Sequence, residues 1–130
     1  MEKPEYQWRT QLSPERFHIL REQGTEPSGS GELLHVADDG EFRCAGCGSV
    51  LFHSDDKFES GTGWPSFVRP AGDQAVEEHA DSRNGMLRTE VTCSNCGGHL
   101  GHVFPDGPAA TGLRYCINSL ALEFEGHSES

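Results

Sequence analysis

The sequence predicts a mainly β fold of antiparallel sheets with a short helical segment at its N-terminal end. Three observations carry this expectation. From Leu33 onward, short apolar runs such as "GEFRC", "VLFH", "AVEEH" and "GMLRTEVTC" alternate with glycine and polar clusters, the pattern of strands joined by turns. The clearest helix signal lies in "LSPERFHILREQG". Four of the five cysteines stand in two Cys-x-x-Cys pairs, each followed by glycine.

With 130 residues, 34% of them hydrophobic and 16 of them glycine, the chain has material for one domain with a modest core. That domain is expected to fill residues 1–130, its core at about 8–124 between a short N-terminal arm and an acidic C-terminal tail. A net charge of -11 argues against nucleic acid or an anionic membrane as partner, since both recruit Lys/Arg surfaces. No run approaches the ~20 apolar residues of a spanning helix, and "MEKPEYQWRT" has no signal-peptide apolar region. This cysteine usage suits a reducing cytoplasm, where thiolates serve metals or chemistry rather than disulfides.

In the helix, Ser13 can cap, Pro14 fits the first turn and Glu15 favours the positive end. Phe17, Ile19 and Leu20 form its apolar side, Gly24 is the expected stop, and "GTEPSGSGE" reads as a surface loop. The spacing of Cys44 with Cys47, and of Cys93 with Cys96, lets two thiolates reach one Zn²⁺ from a tight turn, with glycine relieving the backbone beyond. Two such turns complete a closed four-cysteine site for one structural zinc. Spanning the 45 residues between Cys47 and Cys93, it would join distant parts of a sheet and restrict the unfolded chain. The rival reading, a redox dithiol, lacks a thioredoxin-like strand-then-helix entry. The H-x-E…P-C-x-x-C signature of zinc deaminases is absent as well. Four thiolate ligands leave no position for a catalytic water, so the metal is a staple.

The fifth cysteine lies in "LRYCIN", where strand alternation puts Arg114, Cys116 and Asn118 on one face and Tyr115 and Ile117 on the other. Leu120, Leu122 and Phe124 then share the parity of Cys116. The buried face therefore changes phase near Asn118 and Ser119, where a bulge or twist is expected. Cys116 thus sits on a polar face beside a guanidinium that lowers its pKa, although residue type alone would make it an inert core thiol. "GGHLGHVF" supplies His99 and His102 as acid/base candidates beside a thiolate. "ESGTGWPSF" combines glycine turns with exposed-type aromatics, Trp64 and Phe67, although an isolated Trp64 would read as core packing. His18, His35, His53, His79 and His127 belong to no constellation.

Taken together, "KFESGTGWPSF", "RTEVTCSNCGGHLGHVFPDGP", "TGLRYCINS" and the two cysteine knuckles closely resemble the B-type methionine-R-sulfoxide reductases (MsrB, also called SelR), over roughly residues 8–124. The resemblance implies a β fold with zinc away from the chemistry, and reduction of the R epimer of methionine sulfoxide, in oxidised proteins or free, to methionine. It implies Cys116 as nucleophile, with His99 and His102 helping to bind substrate and handling the sulfoxide proton. Trp64 would receive the substrate's methyl group with Phe104 in the same binding wall, and Arg114 and Asn118 would orient and polarise the site.

Many family members carry a resolving cysteine two residues before this tryptophan, where the chain has Thr62. A one-cysteine cycle is therefore expected, with thioredoxin, glutaredoxin or a small thiol reducing the Cys116 sulfenic acid in a cytoplasmic monomer. "EPSGSGELL" also lacks the aromatic residue of the corresponding family segment, which bears on the pocket mouth near residues 26–34. The alternative is a zinc-stapled β domain that binds a protein or small ligand without turnover. Such a module has no need of Cys116 together with His99, His102 and Asn118.

Overall fold

The computed structural model describes residues 5–22, 24–26, 29, 31, 33, 39–58, 62–72, 74–82, 88–108 and 111–126. Two helices, α1 (Glu5–Gln11) and α2 (Pro14–Arg21), precede nine strands. These are β1 (Gly40–Cys44), β2 (Val50–His53), β3 (Lys57–Phe58), β4 (Ser66–Phe67), β5 (Val76–Asp81), β6 (Arg88–Cys93), β7 (His99–Phe104), β8 (Arg114–Ile117) and β9 (Leu122–Gly126). They form two antiparallel sheets, in the orders β2-β1-β9 and β3-β4-β8-β7-β6-β5.

The α2 signals are realised locally: the Ser13 hydroxyl accepts the Arg16 N–H at 3.2 Å, and Phe17, Ile19 and Leu20 are buried. The helix ends earlier than expected, at Arg21, and Gly24 instead returns its N–H to His18 O at 2.9 Å. Helix α1 carried no sequence signal of its own. At seven residues it is too short to stand alone, and it is held by burial of Trp8 and of Leu12 just beyond its end. The Arg21 guanidinium covers the Trp8 ring at 4.8 Å, and Arg9 covers Phe17 at 4.3 Å.

The core lies between the two sheets. Phe67 of the larger sheet is not the exposed aromatic its glycine-rich surroundings suggest: it is fully buried. It stacks on Phe52 at 4.3 Å and meets Phe42 edge-on at 5.0 Å, while Tyr115 stands 5.9 Å from Phe52. Leu51, Val91, Ile117 and Leu122 are fully buried with them. Such ring pairs contribute about 0.5–1.5 kcal/mol beyond their buried area. Tyr115 donates its hydroxyl to Glu78 at 3.2 Å, and burial followed by that carboxylate's charge pushes its pKa up to about 12.

The change of phase after Cys116 exists, but it is not a bulge in a continuous strand. Strand β8 ends at Ile117, Ser119–Ala121 makes one 3-10 turn, and the chain crosses to the other sheet as β9. Parity changes because the sheet changes. The knuckles occupy the β1–β2 and β6–β7 turns, with Gly48 and Gly97 at φ 82° and 76°. Their N–H groups close onto Cys44 O and Cys93 O at 2.8 and 2.7 Å. The cysteine cluster therefore joins two different sheets, rather than two parts of one.

Candidate active site and metal centre

The four knuckle sulfurs lie within 4.8 Å of one another, with Cys44 to Cys96 and Cys47 to Cys93 at 3.6 Å. A tetrahedral Zn–S bond of about 2.3 Å places sulfurs about 3.8 Å apart, so this set can hold such an ion. Hydrogen bonds with Cys93 and Cys96 push the Cys44 thiol up, while the bond to Cys44 draws Cys96 down to about 4. A bound cation removes that conflict by holding all four as thiolates.

The second centre is built from sheet register. Cys116 on β8 pairs with Ser66 on β4 and with His102 on β7; His102 pairs with Glu90 on β6, and Glu90 with His79 on β5. Directly opposed residues share a face, so these five form one row across the strands. Strict alternation would put His99 on the other face from His102. The register instead shifts between Val91 and Thr92, so that Thr92 opposes His99 and Leu100 is the extra residue. His99 thereby returns to the face of His102, and the rings meet edge-on at 5.5 Å. Gly101 lets β7 and β8 close up, because a Cβ there would run into the backbone of Cys116 and Ile117.

A cavity of about 220 Å³ opens on this face. Cys116, Arg114, His102, Phe104, Asn118 and Trp64 all line it, so six of the seven expected site residues converge. The seventh, His99, borders a neighbouring open groove with His79 and Glu90. Each histidine is gripped by a buried carboxylate: His99 Nδ1 by Glu90 at 2.7 Å and His102 Nε2 by Asp81 at 2.8 Å. Glu90 and Asp81 were not among the expected site residues. An acid alternating with apolar residues in a strand reads as solvent-facing, and here that face is the site.

Glu26, also unforeseen, ties the cavity together through its main chain. Its carbonyl accepts Trp64 Nε1–H at 2.9 Å, and its N–H donates to Asn118 Oδ1 at 3.0 Å. Asn118 Nδ2 donates to Leu100 O at 3.0 Å, so this amide fixes the loop to β7. Of the segment expected to shape the pocket mouth, only Glu26, Gly29, Gly31 and Leu33 are among the described residues, and His35 and His127 lie outside them.

Arg114 lowers the Cys116 pKa as its position suggests, but it is shared with a second partner and is outweighed by burial. Its Nε and Nη2 donate to Asp106 at 2.8 and 3.1 Å, holding that carboxyl below its usual range, and its guanidinium lies 4.6 Å from the Phe104 ring. Burial pushes the Cys116 thiol up, and the hydrogen bond with Thr62 and the charge of Arg114 only partly offset it. The net direction is upward, not downward.

The SelR domain model matches residues 12–126, a span that holds both the cysteine cluster and the cavity. The chain belongs to the SelR domain family. Among SelR relatives it is 59% identical to the "Peptide methionine sulfoxide reductase MsrB" of Bradyrhizobium diazoefficiens, over 95% of this chain and 88% of that one. The protein of the same name from Thiobacillus denitrificans is also 59% identical, over 94% of this chain and 92% of its own. That of Methanosarcina barkeri is 52% identical over 99% and 91%. Among the described residues of this SelR chain, no helix is long and apolar enough to cross a membrane.

Proposed function

We propose that this SelR-family chain reduces methionine-R-sulfoxide, in proteins or free, to methionine, with Cys116 as the nucleophile. The observation that carries the reading is the cavity in which Cys116, His102 and Trp64 converge. The names of its relatives support the same substrate class. At about 220 Å³ the cavity falls below the roughly 300–1,000 Å³ of pockets for drug-sized ligands and suits a single side chain.

In this reading the Cys116 thiolate attacks the sulfoxide sulfur while Trp64 and Phe104 receive the methyl end. Asp81 holds His102 Nε2, leaving Nδ1 to carry a proton to the departing oxygen. The attack joins the two sulfurs, and the protonated oxygen leaves as water. Water then attacks Cys116 Sγ, the S–S bond breaks and methionine leaves. Cys116 is left as a sulfenic acid, with one proton returned. One sulfur is reduced by two electrons and the other oxidised by two. Glu90 and His99 back the His102 ring, and Arg114 and Asn118 orient the walls.

The knuckle cysteines are committed together, and Thr62 stands beside Cys116, so the sulfenic acid is returned to thiol by an external reductant. Thioredoxin, glutaredoxin or a small thiol of a reducing cytoplasm fits that need. Cys44, Cys47, Cys93 and Cys96 hold a structural Zn²⁺ in this reading; the ion supports the fold and supplies no step. The test is an assay on the separated R and S epimers with each class of reductant. Turnover confined to the R epimer is expected, and equal turnover of both epimers, or none of either, would overturn the reading.

A further inference from the structure

The reaction as drawn gives Thr62 no task, yet its Oγ1 stands 3.9 Å from Cys116 Sγ, inside the reach of a hydrogen bond to sulfur. We propose that the Thr62 hydroxyl is a further catalytic group, donating a hydrogen bond to the Cys116 thiolate and holding the sulfur for attack. The proposal rests on Cys116 being the nucleophile.

While Cys116 is a thiol, either atom of the pair can donate. A thiolate has no proton, so in the reactive form only the hydroxyl can. The Trp64 N–H donates to the same Thr62 oxygen at 3.4 Å, which orients the hydroxyl and couples it to the ring on the cavity wall. The sulfur is half-buried, and a hydrogen bond to an ion counts for more where water is scarce.

The charged groups around Cys116 do not make the hydroxyl redundant. Arg114 on its own strand is shared with Asp106, and His102 from β7 is held by Asp81. Arg88 borders the cavity from β6, 3.7 Å from Asp81, and the Glu26 charge, from the loop after α2, opposes the thiolate. A neutral donor aimed at sulfur needs no ion pair to be effective. The same hydroxyl remains beside the sulfur once it carries oxygen.

The experiment follows alkylation of Cys116 by iodoacetamide against pH, read on the Cys116 peptide by mass spectrometry, in the full metal-loaded chain. Thr62→Val, which keeps the shape and removes the hydroxyl, should move the midpoint up by about one pH unit. The thiolate fraction at neutral pH then falls roughly tenfold. Thr62→Ser, which keeps the oxygen, should return the curve to that of the parent. A valine variant on the parent curve overturns the proposal, and so does a serine variant that behaves like valine. Alkylation needs no sulfoxide. A parent that alkylates as expected but leaves methionine-R-sulfoxide untouched marks failure of the functional reading rather than of the Thr62 contact.

Discussion

The knuckle cysteines and Cys116 are the same side chain in two settings. Cys44, Cys47, Cys93 and Cys96 face one another across two sheets, 3.6 Å apart in pairs, at turns closed by left-handed glycines. Cys116 lies outside that cluster, on a mid-strand position beside a hydroxyl, a guanidinium and an imidazole. A thiol among thiols can share a cation with them, whereas one among hydrogen-bond donors in a cavity keeps its lone pairs for a substrate. In the proposed reading, the neighbours, not the residue type, separate staple from nucleophile.

The most forceful way to break this contrast is to exchange one member of each set. Cys116→Ser should cut methionine-R-sulfoxide turnover by at least about three orders of magnitude while metal content and melting temperature stay nearly unchanged. Surviving activity would remove Cys116 from the chemistry. Cys93→Ser should do the reverse, releasing metal and lowering the melting temperature by roughly tens of degrees, and chelation under mild denaturant should unfold the parent likewise. Activity lost with the fold intact would contradict a purely structural metal. His102→Gln should lower kcat by about 10²–10⁴ without moving the melting temperature, as expected for a lost proton donor.

Smaller effects sharpen the contrast. Because burial raises the Cys116 pKa, its alkylation should climb with pH through a midpoint above that of a free cysteine, about 8.5. A midpoint below that value would mean that Arg114 and Thr62 outweigh burial. Tyr115, one residue away on the core face, titrates at about 12 in the fold and near 10 when unfolded. The unfolded chain therefore loses this proton first as pH rises. The stability associated with it is intact below about pH 10 and declines toward pH 12. Urea midpoints should show that decline in the parent and a shallower one in Tyr115→Phe.

What the sequence revealed was local. Ser13 caps the turn that follows it, the Cys-x-x-Cys-Gly spacing builds its own knuckle, and alternation around Cys116 assigns faces without reference to any partner. What stayed hidden is decided across the chain. Asp81 reaches His102 because β5, β6 and β7 lie side by side, and His99 reaches the face of His102 through a shift of register between β6 and β7. Arg114 was read as the thiol's partner, but the return of the chain also brings it to Asp106, eight residues earlier. Helix α1 exists because Trp8 finds a place in the core, which its own residues do not announce.

The row from Ser66 through Cys116, His102 and Glu90 to His79 takes one residue from each of five strands. A slip of one residue between β7 and β8 would turn Tyr115 toward the cavity and bury Cys116. Thiol reactivity is therefore a clock for assembly. During refolding, the moment at which Cys116 acquires its native alkylation rate dates the correct closure of the central strand pair, without any added label.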